Sequence, residues 1–414
     1  MNYYNVPMGK IDQNPYKNIK VTKANKSFLI DEKNKRYIDL CSGLWNCSFG
    51  YNSELNDLLL SKLKEILNSG VLFLDIHSYT HDVYEIYAKE LLEFCNESKY
   101  NFNKLSYTNS GSECTELALK YIKHINGNKK ILCFDKGYHG TYFGGMNVSG
   151  IDNKTTSIYN STAIDIEFLS IPKNKCEEDK IIKYIEANKE NLGGFILEPV
   201  IGSSGVFPLN ISFLNKLLKV LKKYNIVSVF DEVATGFYRT GRRFYFHLLE
   251  YSPDILLLSK GINNGILPFG TVLLSKNISN LLIENNAYIE HFSTQNGNIL
   301  TIQLALIVLN YIKKKENELL KNIKEIESII NLEFSDSKFI IHGLGGMYSI
   351  NINNSQYLDK LILNLINNGI LVYSFWNSNY DNGLTIFPIL FMDVKLLKKS
   401  LSIIKKQLEI IVNE

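Results

Sequence analysis

Arginine is the scarcest charged residue of this chain: only Arg36, Arg239, Arg242 and Arg243 occur among 414 residues. Arginine's planar fork is the usual partner of a carboxylate, so few such forks are on offer here. Neither sign of charge dominates. Lys and Arg number 45 against 42 Asp and Glu, and a net charge of +3 gives no reason to invoke nucleic acid or an anionic membrane. No run approaches the roughly 18 apolar residues of a membrane span. The six cysteines, Cys41, Cys47, Cys95, Cys114, Cys133 and Cys176, show no Cys-x-x-Cys pairing and no metal-ligand spacing with histidine. Reduced thiols and no metal are therefore expected. The N-terminal Met-Asn-Tyr-Tyr-Asn-Val-Pro lacks the basic-then-apolar pattern of a secretory signal. These absences together predict a cytoplasmic protein. Internal repeats and low-complexity linkers are absent too.

What is present suits a soluble enzyme with a large domain and a smaller one, at 45% hydrophobic and 21% charged residues. Ser27–Asp31 and Arg36–Leu40 read as a small hairpin. Apolar spacing is helical from Leu55 to Leu67 and again from Tyr84 to Phe94. Short strands then alternate with helices between about residues 105 and 275. The strand candidates are Lys104–Thr108, Lys130–Phe134, Gly194–Leu197, Ile226–Phe230, Ile255–Leu258 and Thr271–Leu274. Helices begin near Cys114, Ile181 and Ser212. This alternation predicts an α/β fold with a mostly parallel sheet covered on both faces. Beyond Gly297 a long helix through Lys315 leads into helices mixed with short strands, such as Phe339–Ile341 and Met347–Ile350. The expected division is an N-terminal segment, 1–45, that packs with the small domain, a large domain, 46–297, and a small α/β domain, 298–414.

Two strands end abruptly in a charged residue. Ile226-Val-Ser-Val-Phe-Asp231 delivers a carboxylate and Ile255-Leu-Leu-Leu-Ser-Lys260 an amine. Parallel sheets place binding and catalytic groups at the carboxyl ends of their strands. A carboxylate and an amine side by side there are what pyridoxal 5′-phosphate (PLP) chemistry needs, the amine for a Schiff base and the carboxylate to keep the pyridine nitrogen protonated. Upstream, Thr108-Asn-Ser-Gly-Ser-Glu-Cys114 runs from a strand end into a helix whose apolar face is Leu117, Ala118, Tyr121, Ile122 and Ile125. Ser110, Gly111 and Ser112 thus sit at a helix N-terminus, which favours an anion. An ordinary N-cap would use the same residues.

Five ordered segments now converge. They are Tyr37-Ile-Asp-Leu-Cys-Ser-Gly-Leu-Trp45, Asn109-Ser-Gly-Ser-Glu-Cys114, Gly137-Tyr-His-Gly140, Glu198-Pro-Val-Ile-Gly-Ser-Ser-Gly205 and Asp231-Glu-Val-Ala-Thr-Gly-Phe-Tyr-Arg-Thr-Gly241, with Lys260 after them. From about residue 25 to the C-terminus the chain resembles class III (subgroup II) PLP-dependent aminotransferases of fold-type I, nearest the ω-amino acid and amine:pyruvate branch. The resemblance implies that Lys260 is the Schiff-base lysine and Asp231 the partner of the pyridine nitrogen. It places Ser110, Gly111 and Ser112 at the phosphate, and Tyr138 and Val233 on the two faces of the cofactor ring. His139 joins the cofactor site, and Glu198 lies near the cofactor oxygen. Phe292-Ser-Thr-Gln-Asn-Gly297 matches the segment that supplies Thr294 to the neighbouring subunit's site, which implies a homodimer with shared active sites. Trp45, Tyr138, Ser203 and Arg239 are the candidate substrate-pocket residues, Arg239 with a structural or site-entrance role. A core tryptophan and plain packing are the other readings of Trp45 and Val233.

The sequence also departs from the family. Ser203 stands where ornithine- or 4-aminobutyrate-specific members keep a glutamate, and Ala234 replaces their glutamine. No arginine occurs in Trp376-Asn-Ser-Asn-Tyr-Asp-Asn-Gly383, the stretch in which relatives keep a carboxylate clamp. The function this implies is transfer of an amino group between an amine or amino acid donor and a ketone or aldehyde acceptor, with a biosynthetic intermediate or a peptide within the acceptor range. A PLP aminomutase or racemase of the same fold stays open, as does a non-catalytic interaction protein.

Overall fold

The computed structural model of the chain describes residues 7–8, 19–51, 54–151, 156–159, 164–352, 355–376 and 382–413. Its centre is a seven-stranded sheet in the order Phe102–Thr108, Gly270–Ser275, Ile255–Leu258, Val227–Asp231, Leu192–Leu197, Lys130–Phe134 and Ile166–Leu169. Gly270–Ser275 runs antiparallel to both its neighbours, and every other pairing is parallel. The inner strands are apolar on both faces: Leu192–Leu197, Val227–Asp231 and Ile255–Leu258 are buried at every position. Such runs suit a parallel sheet covered by helices on both sides. Two apolar clusters flank it. One gathers Phe195, Phe230, Leu256 and Leu273, and the other Ile196, Val229, Leu257 and Val272 against the helix Gly111–Asn126.

Most expected elements hold within two or three residues. The helix expected near Ile181 begins earlier, at Lys175. Asn174 caps it by accepting the Glu177 amide, and its first turn is charged, so the apolar rhythm starts a turn late. The strand expected at Phe339–Ile341 lies at Ile341–Leu344. The edge strand Ile166–Leu169 was not expected; it is half-exposed throughout, and its apolar signal is correspondingly weak.

The hairpin of Phe28–Asp31 and Arg36–Asp39 forms, with Val21–Asn25 added at its edge. Arg36–Asp39 also pairs in parallel with Ile370–Leu371, so N-terminal residues complete a sheet with strands from the far end of the chain. A third sheet, Ile341–Leu344, Met347–Asn351, Asn382–Ile386 and Tyr373–Trp376, packs with the helices Glu316–Phe334, Ser355–Asn367 and Val394–Asn413 around a separate apolar cluster.

Between the hairpin and the central sheet the chain makes an unusual turn. Ser42, Gly43, Leu44 and Trp45 all adopt left-handed φ, from 48° to 65°. Such a conformation costs roughly 1–2 kcal/mol per non-glycine residue, so it persists only where neighbours enforce it. Asp39 supplies that enforcement, accepting the Cys41 amide at 2.7 Å, the Gly43 amide at 2.9 Å and the Tyr51 hydroxyl at 2.7 Å. Ser42 donates its hydroxyl to the Phe387 carbonyl at 2.6 Å. The turn fixes Trp45 against Phe387, ring centres 4.7 Å apart. Replacing Asp39 by alanine should cost roughly 2–4 kcal/mol, since three donors lose one buried carboxylate. A urea midpoint that places Asp39→Ala within about 0.5 kcal/mol of the native chain would show that the turn holds itself.

Candidate active site

Asp231 is the last residue of its strand, and Lys260 follows the neighbouring parallel strand by two residues. The shared strand direction therefore brings both side chains to one edge of the sheet. At Ser259 the hydroxyl donates to the Phe269 carbonyl at 2.6 Å, which anchors the strand end. Lys260 then takes a left-handed φ of 48° and opens a short 3₁₀ turn. Its ammonium lies 4.3 Å from the Trp45 ring centre. Burial pulls the Lys260 pKa down, against the opposing pull of Asp231 and Glu198.

Asp231 is buried and held from two sides. Oδ1 accepts the Val233 amide at 3.0 Å, and Oδ2 lies 2.8 Å from His139 Nδ1. His139 is fixed in turn by its own amide, which donates to Ser149 Oγ at 2.8 Å. A carboxylate at this distance requires a proton on Nδ1. His139 Nε2 is then left buried with no partner. Glu198, also buried, accepts the amides of Tyr138 at 3.0 Å and Gly202 at 3.2 Å. Burial pushes its carboxyl up to about 7.

The helix Gly111–Asn126 points its N-terminus at the same place. Ser110 caps it through a 3.2 Å bond from the Glu113 amide, while Glu113 accepts the Asn109 amide at 2.9 Å. The first-turn amides of Gly111 and Ser112 have no partner within the helix. Close approach is enforced by glycine here: a Cβ on Gly111 would meet Val233 Cγ1 at 2.9 Å, and one on Gly140 would meet Ser112 Oγ at 2.4 Å.

A cavity of about 220 Å³ joins these groups. Ser110, Gly111, Ser112, Tyr138, His139, Glu198, Ser203, Asp231, Val233 and Lys260 all line it, with Ala234 and Ser259. A second cavity of about 430 Å³ opens beside it and shares Tyr138, Gly140, Ser203 and Lys260. Leu44, Trp45, Met146, Ile151 and Tyr373 give this second space an apolar wall. The donor set fits a small ring that bears a cationic nitrogen and an anionic tail. Asp231 has His139 as its one ion-pair partner among the described residues, which leaves its charge available to a cation. The tail would be met by helix amides and hydroxyls.

The family described as Aminotransferase class-III matches residues 11–408. The chain belongs to the class-III aminotransferases. Among similar sequences, an adenosylmethionine-8-amino-7-oxononanoate aminotransferase of Staphylococcus aureus is 28% identical, covering 93% of this chain and 91% of its own. An acetylornithine aminotransferase of Prochlorococcus marinus is 26% identical over 96% and 92%. The solved structure of a transaminase from the marine bacterium Virgibacillus superposes with a TM-score of 0.88 at 23% identity, over 99% of this chain and 97% of that one. At that identity the likeness speaks for the fold: α/β, with the mostly parallel central sheet. The family's cofactor is PLP, and a similar structure from Vibrio fluvialis (TM-score 0.84, 21% identity, 96% and 93% covered) is a PMP-bound form. Asp231, the Gly111–Ser112 amides and Lys260 are the groups in this chain that fit it.

One of the expected site residues lies elsewhere, and one, Thr294, was expected in the neighbouring subunit's site. Arg239 is not in the substrate pocket: it is buried, donating to the carbonyls of Gly346 at 3.1 Å and Pro388 at 2.7 Å and to Ser48 Oγ at 2.8 Å. These partners pin the segment that carries Trp45 to the C-terminal sheet. Thr294 is exposed and lines neither cavity, although Asn109 holds its neighbours Ser293 and Asn296 at 3.3 and 2.6 Å. The clamp stretch after Trp376 falls at 377–381, outside the described residues. Met146, Ile151, Tyr373 and Ser374 were not expected. They are ordinary apolar and hydroxyl residues, and only the chain's return from residue 373 brings the last two to Lys260.

Glu198 gives a pH signature. Its folded carboxyl titrates near 7 against an ordinary 4.5, so the folded state holds its proton longer than the unfolded chain. Stability from this group is present below about 4.5 and is lost as pH rises through about 7. Urea unfolding of the cofactor-free chain should show Glu198→Gln gaining on the native protein by about 1–3 kcal/mol between pH 4.5 and 7. A pH-independent difference contradicts the assignment.

Proposed function

We propose that Lys260 and Asp231 carry a two-half-reaction amino-group transfer between an amine or amino acid and a carbonyl acceptor. The observation behind this reading is that both stand at the carboxyl ends of adjacent parallel strands, Asp231 as the last strand residue and Lys260 two residues beyond, and line one cavity. When bound, PLP supplies an electron sink for negative charge developing on the substrate carbon. Gly111 and Ser112 would hold its phosphate, Tyr138 and Val233 its ring faces, and Glu198 its oxygen side. Asp231, oriented by His139, holds the charge that keeps a ring nitrogen protonated. Lys260 Nζ would take the proton from the substrate carbon as base and hold it for return as acid. Its lowered pKa favours the free amine for the first role.

The assembly we propose is a homodimer with sites built from both chains, in the cytoplasm. Thr294 is exposed, and so are Phe143, Tyr288 and Phe292, large apolar side chains that a second copy would cover. Among the described residues no helix is long and apolar enough to cross a membrane. The division into 1–45, 46–297 and 298–414 belongs to the same proposal, supported by the separate apolar cluster of the C-terminal part.

Lys260→Ala should show no transamination while still taking up cofactor through the remaining contacts, and near-normal turnover would remove Lys260 from its role. Asp231→Asn should bind cofactor yet lose at least about a hundredfold in kcat, roughly 2.7 kcal/mol. Full activity in that variant would end the electron-sink assignment. Shared sites are tested by mixing inactive Lys260→Ala with Thr294→Asp, whose carboxylate repels phosphate. After verified subunit exchange, mixed dimers should regain one intact site. No recovery means that each chain builds its own.

A further inference from the structure

The first turn of the helix Gly111–Asn126 has a second duty, which bears on how two chains share a site, on the footing of the Thr294 reading above. Glu113 is the third residue of that helix, after the cap Ser110. An acid at this position ordinarily reaches back to the amide of the cap residue and stays in water. Glu113 is instead buried, and its Oε2 accepts the amide of Asn109, one residue before the cap, at 2.9 Å. Its Oε1 faces His291 Nε2 at 3.4 Å, and both atoms are buried. Burial would raise the Glu113 carboxyl, but the contacts from His291 and Asn109 outweigh it and hold the group below its ordinary value, so it stays ionised. Helix capping alone does not call for burying a charge; a partner on the other side does.

That partner is the loop around Thr294. Asn109 Nδ2 donates to Glu113 Oε2 at 3.1 Å, to Ser293 Oγ at 3.3 Å and to Asn296 Oδ1 at 2.6 Å. Farther along the same helix face, Lys120 donates to the Glu290 carbonyl at 2.6 Å. The loop's far end is pinned at Gly297, with φ 72°, where a Cβ would meet Ile76 Cδ1 at 2.5 Å. The loop is thus gripped on both sides of Thr294, which itself stays exposed. Gly111 and Ser112 line the cavity of their own chain, whereas Glu113 lines neither cavity. We propose that Glu113, with Asn109 and His291, is a positioning group that sets Thr294 at the neighbouring subunit's phosphate. A residue in the cradle of one chain then controls how tightly the other chain holds its cofactor. The effect falls on cofactor affinity and not on proton transfer at Lys260.

The test uses mixed dimers of two differently tagged chains, with PLP as the probe. One chain is native, and the other carries Lys260→Ala, so the absorbance of lysine-bound cofactor reports a single site. Adding Glu113→Ala to the Lys260→Ala chain should weaken PLP binding at the intact site of its partner by at least about tenfold. His291→Ala on that same chain, which leaves the helix cap alone, should do likewise, and it decides if the Glu113→Ala chain does not fold. Thr294→Asp on that chain is the control. If Thr294→Asp weakens the intact site and His291→Ala does not, the inference is overturned and shared sites stand. If neither does, both fall. A loss seen only when Glu113→Ala sits on the chain with the intact lysine means that Glu113 serves its own helix, which also overturns the inference.

Discussion

Everything at this site depends on one buried carboxylate held in a fixed orientation at the end of a central strand. Asp231 is buried, and its one ion-pair partner among the described residues is a histidine whose far nitrogen has no hydrogen-bond partner. That arrangement orients the carboxylate without neutralising it. A lysine or arginine in place of His139 would satisfy the charge and leave nothing for a cationic ring. The neighbouring Glu232 makes the contrast plain. It too is buried, but it accepts the amides of Tyr245 and Phe246 and the Thr235 hydroxyl, and burial pushes it up to about 7. Two adjacent acids thus take opposite duties, one facing the cavity and one fastening the loop behind it.

The second dependence is geometric. Lys260 reaches the same edge because its strand runs parallel to that of Asp231. Trp45 reaches it because four residues are forced into the left-handed region by Asp39 and by contacts to the C-terminal part of the chain. Arg239 ties these together, bonding Ser48 on one side and the Gly346 and Pro388 carbonyls on the other. The site therefore draws on three distant stretches of sequence. Its shape is only as firm as the joint between the N-terminal hairpin, the central sheet and the C-terminal sheet.

Much of this was legible beforehand, because the central strands are short apolar runs that end in the residues that matter. Asp231 and Lys260 announced themselves by interrupting such runs, and Ser110 to Ser112 by standing between a strand and an amphipathic helix. The edge strand Ile166–Leu169 was not legible, being half-exposed. Nor were Met146, Ile151, Tyr373 and Ser374, which have no chemistry of their own until the fold gathers them around Lys260. Arg239 misled for the opposite reason. Its charge suggests a ligand, yet its partners are backbone carbonyls more than 100 positions away, which no local pattern reveals.

The central claim is that Lys260 is the residue to which the cofactor is joined. Borohydride reduction of the loaded protein, followed by proteolysis and mass spectrometry of the peptides, measures this directly and without reference to turnover. The account predicts one added cofactor mass per chain, on the peptide containing Lys260. The same mass on a different lysine, or none at all on a chain that has bound PLP, would contradict it.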